Sequence, residues 1–117
     1  MEDMLAEIEN QQDFSPAGLS VLLQEHKGQD VSVLDLRKFQ IWTEYFIIAT
    51  TTSKTHMDGL EKHIREFCYD KKIEILGSSL KSQDDEWRLL DLGSIIIHLM
   101  SKRIRDFYEL ERLWSDR

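Results

Sequence analysis

The run Glu44-Tyr45-Phe46-Ile47-Ile48-Ala49-Thr50-Thr51 constrains this chain more than any other segment. It is rich in aromatic and β-branched residues and apolar at both odd and even positions. Side chains alternate between the two faces of a strand, so such a run predicts a strand covered on both sides and central in its sheet. Residues 31–36 read as a neighbouring strand. Three more runs, at about 73–80, 86–92 and 94–100, complete a five-stranded mixed sheet. The last two are joined at Asp91-Leu92-Gly93-Ser94, a tight turn that makes them an antiparallel hairpin.

Helices fill the intervals. Ser15-Pro16 is a helix start, with serine as cap and proline in the first turn, and Gly28 is the stop, giving a helix over about 16–27. Ser53 caps a second helix over about 54–71, in which Met57, Leu60, Ile64, Phe67 and Cys68 recur at helical spacing. A final helix over 102–114 carries Phe107, Leu110 and Trp114 along one face. The order αββαβββα predicts an α+β domain over residues 15–117, preceded by an acidic, flexible leader over residues 1–14.

Charge narrows the function. The net charge is −7, but residues 1–26 hold six acids and no Lys or Arg, and the remainder holds 16 acids against 15 bases. The folded part is close to neutral and lacks the broad basic face that drives phosphate-backbone binding, so little or no direct nucleic-acid contact is expected. The single cysteine, Cys68, fits a reducing compartment and excludes a cysteine zinc cluster. No targeting pattern and no apolar run of roughly 20 residues is present, which predicts a cytoplasmic protein with no membrane partner.

Catalytic patterns are weak. His56 and His63 are seven apart on one helix, about 10 Å along its axis, too far for one metal ion to bridge. His26 ends the first helix and His98 lies in the last strand, so no cofactor or metal is expected. Gly77-Ser78 followed by Asp84-Asp85 resembles the start of a nucleotidyltransferase site, but adjacent residues of a strand diverge, and the pair reads as a solvated turn.

The late hairpin suggests a binding surface instead. Trp87, Leu89 and Asp91 share one face of their strand, and Ile96, His98 and Met100 share one face of the next. With Ile95, Ile97 and Leu99 packed under the helices, His98 and Met100 are expected to face outward beside Trp87. Asp84, Asp85, Glu86 and Asp91 would rim this patch and steer a basic partner. The competing reading places Trp87 in the core.

Three segments resemble the ribosomal silencing factor family, also called the Iojap family. They are Gly28-Gln29-Asp30-Val31 through Leu34-Asp35-Leu36; Thr43 to Thr50 with Ser53 opening a helix; and Glu86-Trp87-Arg88-Leu89-Leu90-Asp91-Leu92-Gly93 with Ile97-His98, Arg105 and Tyr108-Glu109-Leu110-Glu111-Arg112-Leu113-Trp114. They run in one order over about residues 18–114. Glu44, Thr51-Thr52 and Ser94 depart from the family pattern, which has Asp, Gly and Asp there. The resemblance implies a nucleotidyltransferase-like topology without the catalytic carboxylates. It also implies a non-enzymatic translational repressor that binds the large ribosomal subunit at its intersubunit face, through ribosomal protein uL-fourteen, and blocks joining of the small subunit. On that reading Trp87 is the central anchor, with Leu89, His98 and Met100 around it. Asp91 and Glu86 meet basic groups, while Arg105, Tyr108 and Glu111 extend the contact or hold the last helix on the sheet. The alternatives are a homodimeric scaffold that uses the Trp87 patch, and a divergent nucleotidyltransferase that uses carboxylates such as Asp35 and Glu44.

Overall fold

The structure, a computed structural model, describes residues 13–80 and 86–115. In chain order these form α1 (Pro16–Glu25), β1 (Gln29–Asp35), a 3-10 turn (Arg37–Phe39), β2 (Tyr45–Thr51), α2 (Lys54–Asp70), β3 (Gly77–Leu80), β4 (Trp87–Asp91), β5 (Ile95–Ser101), α3 (Lys102–Tyr108) and α4 (Leu110–Leu113). The five strands make one mixed sheet in the order β1-β2-β5-β4-β3. β2 and β5 are parallel, and the other three pairings are antiparallel. The fold is α+β. Nearly all of the leader, and both Asp84 and Asp85, lie outside the described residues.

The helix starts follow their caps. Ser15 Oγ accepts from the Gly18 amide at 3.0 Å, and Ser53 Oγ accepts from the His56 amide at 3.0 Å. Each hydroxyl satisfies one of the amides that a helix leaves unpaired at its first turn. Ser53→Ala is expected to lower stability by about 1 kcal/mol, read as a shift in the urea midpoint at unchanged slope. α1 ends for a different reason than a left-handed glycine. Lys27 takes the positive φ of 69°, while Gly28 is small because a Cβ there would stand 2.8 Å from the Leu23 carbonyl oxygen and 3.4 Å from the Ala49 Cβ.

β2 is central, as its two-faced apolar run requires. Phe46 to Thr51 are all buried. Ile47 and Ala49 join Leu19, Leu23, Leu60, Ile64, Leu90, Ile97 and Leu99 in the larger core beneath α1 and α2. Phe46 and Ile48 point the other way, into two smaller clusters with Leu36, Ile96, Met100, Ile104 and Leu110. Both faces of the sheet are therefore covered. The strand expected over 73–80 is shorter, because Lys72 takes φ 59° and the ladder to β4 begins only at Gly77. Thr51-Thr52 cause no strain: neither has positive φ, and the Thr52 amide donates to His56 Nδ1 at 3.1 Å.

The final helix is broken. Glu109 adopts φ 47° and ψ 53°, which separates α3 from α4 and redirects the chain across the second face. Leu110 is buried and Trp114 packs edge-on against Phe39 and Phe46, with ring centroids 5.5 and 5.7 Å apart. Phe107 points outward and is 76% exposed, so the expected single face of Phe107, Leu110 and Trp114 does not exist. This second layer also corrects the expectation for His98 and Met100. They lie on the side opposite Ile97 and Leu99, but that side is roofed by α3, α4 and Trp87, and they are 3% and 0% exposed. Among the described residues no helix is long and apolar enough to cross a membrane.

Candidate interaction surface

β4 and β5 place the predicted residues in register. Trp87 stands opposite Met100, Leu89 opposite His98 and Asp91 opposite Ile96. The indole of Trp87 is part-buried and held from two sides. Its Nε1–H donates to His98 Nδ1 at 3.1 Å, and its ring lies 4.7 Å from that of Tyr108, the last residue of α3. Phe107 continues the row, its centroid 5.0 Å from Tyr108. Phe107, Tyr108 and Trp87 thus form an aromatic ladder that ends at the solvent, with Tyr108 44% exposed. Phe107 was not expected there. Adjacent residues of a helix cannot both face the core, so the pair Phe107-Tyr108 was the sequence signal that one of them is presented to solvent.

The acids near Trp87 have internal work. Glu86 accepts from Ser101 Oγ at 2.9 Å and is ion-paired with Arg103. The guanidinium first and the hydroxyl second hold its carboxyl below the usual range. Asp91 Oδ1 accepts from the Gly93 amide at 2.8 Å and closes the hairpin turn, where Gly93 has φ 90°. The turn is tied to β2 by the Ser94 carbonyl, which accepts from the amides of Glu44 and Tyr45 at 2.9 and 3.0 Å.

Arg105 faces inward. Its Nε donates to Glu111 at 2.9 Å, Nη1 to Thr50 Oγ1 at 2.9 Å and to the Gln29 carbonyl at 3.5 Å, and Nη2 to Ser32 Oγ at 3.2 Å. Of the two roles implied for it, the geometry matches holding the C-terminal helices on the sheet. A comparable link was missed on the other face. Arg88, read as an alternating strand residue, is buried beneath α2 and donates to Asp58 at 2.7 Å and Glu61 at 3.0 Å.

Of the two carboxylates named for a nucleotidyltransferase site, Asp35 is engaged by Arg37. Asp35 takes a bidentate pair from Arg37 at 2.9 and 2.6 Å and a third bond from the Arg37 amide at 3.0 Å. These bonds pull its pKa down from 3.8 to about 2. A carboxyl depressed by folding contributes stability above its unfolded pKa and loses that contribution as the pH falls through the folded value, here between about 4 and about 2. Carboxyl NMR is expected to show Asp35 titrating near 2, and Arg37→Ala to return it toward 3.8. A midpoint already near 3.8 in the unsubstituted protein would remove the pair.

His56 receives the Thr52 amide at Nδ1, and its Nε2 lies 3.1 Å from the His26 carbonyl oxygen, to which it donates. His26 and His63 stack with centroids 3.5 Å apart. Burial first, and His63 second, push the His26 pKa down. Among the described residues no three His, Cys, Asp or Glu are grouped to hold a metal ion.

Comparison with known proteins covers most of the chain. Residues 11–117 match the family model described as ribosomal silencing factor during starvation. The chain is 30% identical over 93 residues to the "Ribosomal silencing factor RsfS" of Chromobacterium violaceum, covering 80% of this chain and 75% of that one. It is 33% identical over 91 residues to the Treponema pallidum protein of the same name, covering 77% and 80%. It is also 33% identical over 102 residues to the mouse "Mitochondrial assembly of ribosomal large subunit protein 1", covering 80% of this chain and 42% of that longer protein. A crystal structure of a Chromobacterium violaceum protein superposes with TM-score 0.77 at 28% identity, over 87% of this chain and 85% of that one. By family model, sequence and fold, the chain belongs to the ribosomal silencing factor family.

Proposed function

We propose that this protein silences translation in the cytoplasm without catalysis. It binds the large ribosomal subunit at the intersubunit face, through ribosomal protein uL-fourteen, and excludes the small subunit by volume. Family membership supports a ribosomal role. The mouse relative carries the large ribosomal subunit in its name. The observation that carries the reading is the aromatic ladder Phe107–Tyr108–Trp87 on the C-terminal side of the sheet. Aromatic anchors of this kind dominate binding energy at protein interfaces. Trp87, Tyr108 and Leu89 are the proposed contacts, with Phe107 beside them and Asp91 at the hairpin end. His98 and Met100 support them from beneath. A body with a radius of gyration of 14.3 Å obstructs a subunit bridge by its bulk alone.

The test is co-sedimentation of the protein with separated ribosomal subunits, followed by subunit-joining assays. Binding to the large subunit alone, with fewer joined ribosomes as the protein is added, is the expected result. Equal binding to both subunits, or none to either, defeats the proposal.

A further inference from the structure

We propose that His98 is a positioning residue for Trp87, which sets the orientation of the indole and the kind of group that the indole can receive. The inference rests on the reading above that Trp87 meets the ribosome.

A tryptophan at a surface has freedom about two side-chain torsions, and fixing such a side chain on binding costs roughly 0.5–1.5 kcal/mol. Here the restraint is already in place. His98 is 3% exposed, lies on β5 diagonally across from Trp87 of β4, and accepts the indole N–H at 3.1 Å. The imidazole is itself held, with the Phe46 ring edge-on at 4.5 Å. Tyr108 restrains the indole from another side, at 4.7 Å.

Two consequences follow from the direction of the bond. Nδ1 is the acceptor, so the proton of the neutral ring sits on Nε2. The indole has one N–H, and it points inward to His98, so the outer part of Trp87 offers a ring and no donor. Trp87 therefore selects a partner group that packs on an aromatic face, an aliphatic stem or a Lys or Arg cation, over one that needs a hydrogen bond.

The test uses the full chain labelled with ¹⁵N, in which the Trp87 indole signal is identified by its loss in Trp87→Phe. Slow exchange of the indole proton is expected in the unsubstituted protein. It is also expected in His98→Asn, whose amide oxygen falls where Nδ1 stands. In His98→Leu the proton is expected to exchange about tenfold faster, and binding to large subunits to weaken about tenfold, while His98→Asn stays within about threefold. His98→Gln, which places its amide nearer the Nε2 position and keeps the site polar, is expected to follow the leucine variant, and replaces it if leucine prevents folding. Unchanged indole exchange in both, or unchanged binding in both, overturns the proposal. If the unsubstituted protein does not sediment with large subunits while the exchange pattern is as described, the ribosome-binding reading falls and the positioning of Trp87 by His98 stands.

Discussion

Trp87→Ala is expected to weaken binding to large ribosomal subunits by roughly 2–4 kcal/mol, or roughly 30- to 1,000-fold in dissociation constant. The loss has two sources. The anchor itself disappears, and Tyr108 loses the ring against which it is placed, 4.7 Å away. The protein is expected to stay folded, because Trp87 is part-buried and packs at the margin of the small cluster of Ile48, Met100, Ile104 and Leu110. Circular dichroism and thermal melting beside the binding curve separate the two effects. A variant that melts like the unsubstituted protein yet binds as tightly would dismiss Trp87 as the anchor. One that unfolds outright would show that the ring is core. Trp87→Phe keeps an aromatic face but loses the hydrogen bond to His98, and is expected to weaken binding about tenfold, as His98→Leu does.

Arg105→Met is expected to destabilise the fold by about 2–3 kcal/mol, the range for losing hydrogen bonds to a charged donor. For a domain of this size that lowers the thermal midpoint by roughly 10 °C. Methionine keeps the aliphatic stem and removes the guanidinium, which leaves the buried Thr50 hydroxyl, Ser32 and Glu111 without their shared partner. The effect should concentrate at the C-terminus, with faster amide exchange in α3 and α4 than in α2. Arg105→Lys is expected to recover little, since one ammonium cannot match a planar fork with several directions of donation. A midpoint within about 2 °C of the unsubstituted protein would show that Arg105 is not the clasp.

Much of this architecture was legible because its signals are local. Ser15 and Ser53 announce helix starts through short-range hydrogen bonds, and the composition of β2 requires cover on both faces. The hairpin register of β4 and β5 followed from alternation around Gly93, and it put Trp87, Leu89, His98 and Met100 on one side as observed. What lies on that side was read wrongly. The exposure of His98 and Met100 depended on where the chain goes after Ser101, and that is decided at Glu109. Glu109 is a non-glycine residue in a left-handed conformation, for which the sequence carries no marker. With one continuous helix, Phe107 and Trp114 belong to the same face. With the break, Phe107 is presented to solvent and Trp114 returns to Phe46. Arg88 was missed for a similar reason. Its partners Asp58 and Glu61 sit about thirty positions earlier, and no spacing rule links a strand to a helix across that distance.

The pairing of β2 with β5 has a consequence for how the protein comes into being. Each strand finds its parallel partner fifty residues away, Tyr45 beside Ile95 through Thr51 beside Ser101. Contacts this distant in sequence form slowly, because a long loop must close before any of them contributes. During synthesis β2 emerges with only β1 to pair with, and its other edge stays open until β5 has left the ribosome. A nascent chain halted before Ile95 exposes Phe46 and Ile48 beside an unpaired strand edge, the combination that drives aggregation. Synthesis past Ser101 closes that edge, but Phe46 and Ile48 stay uncovered until Ile104, Leu110 and Trp114 have followed, so the C-terminal residues complete the native state.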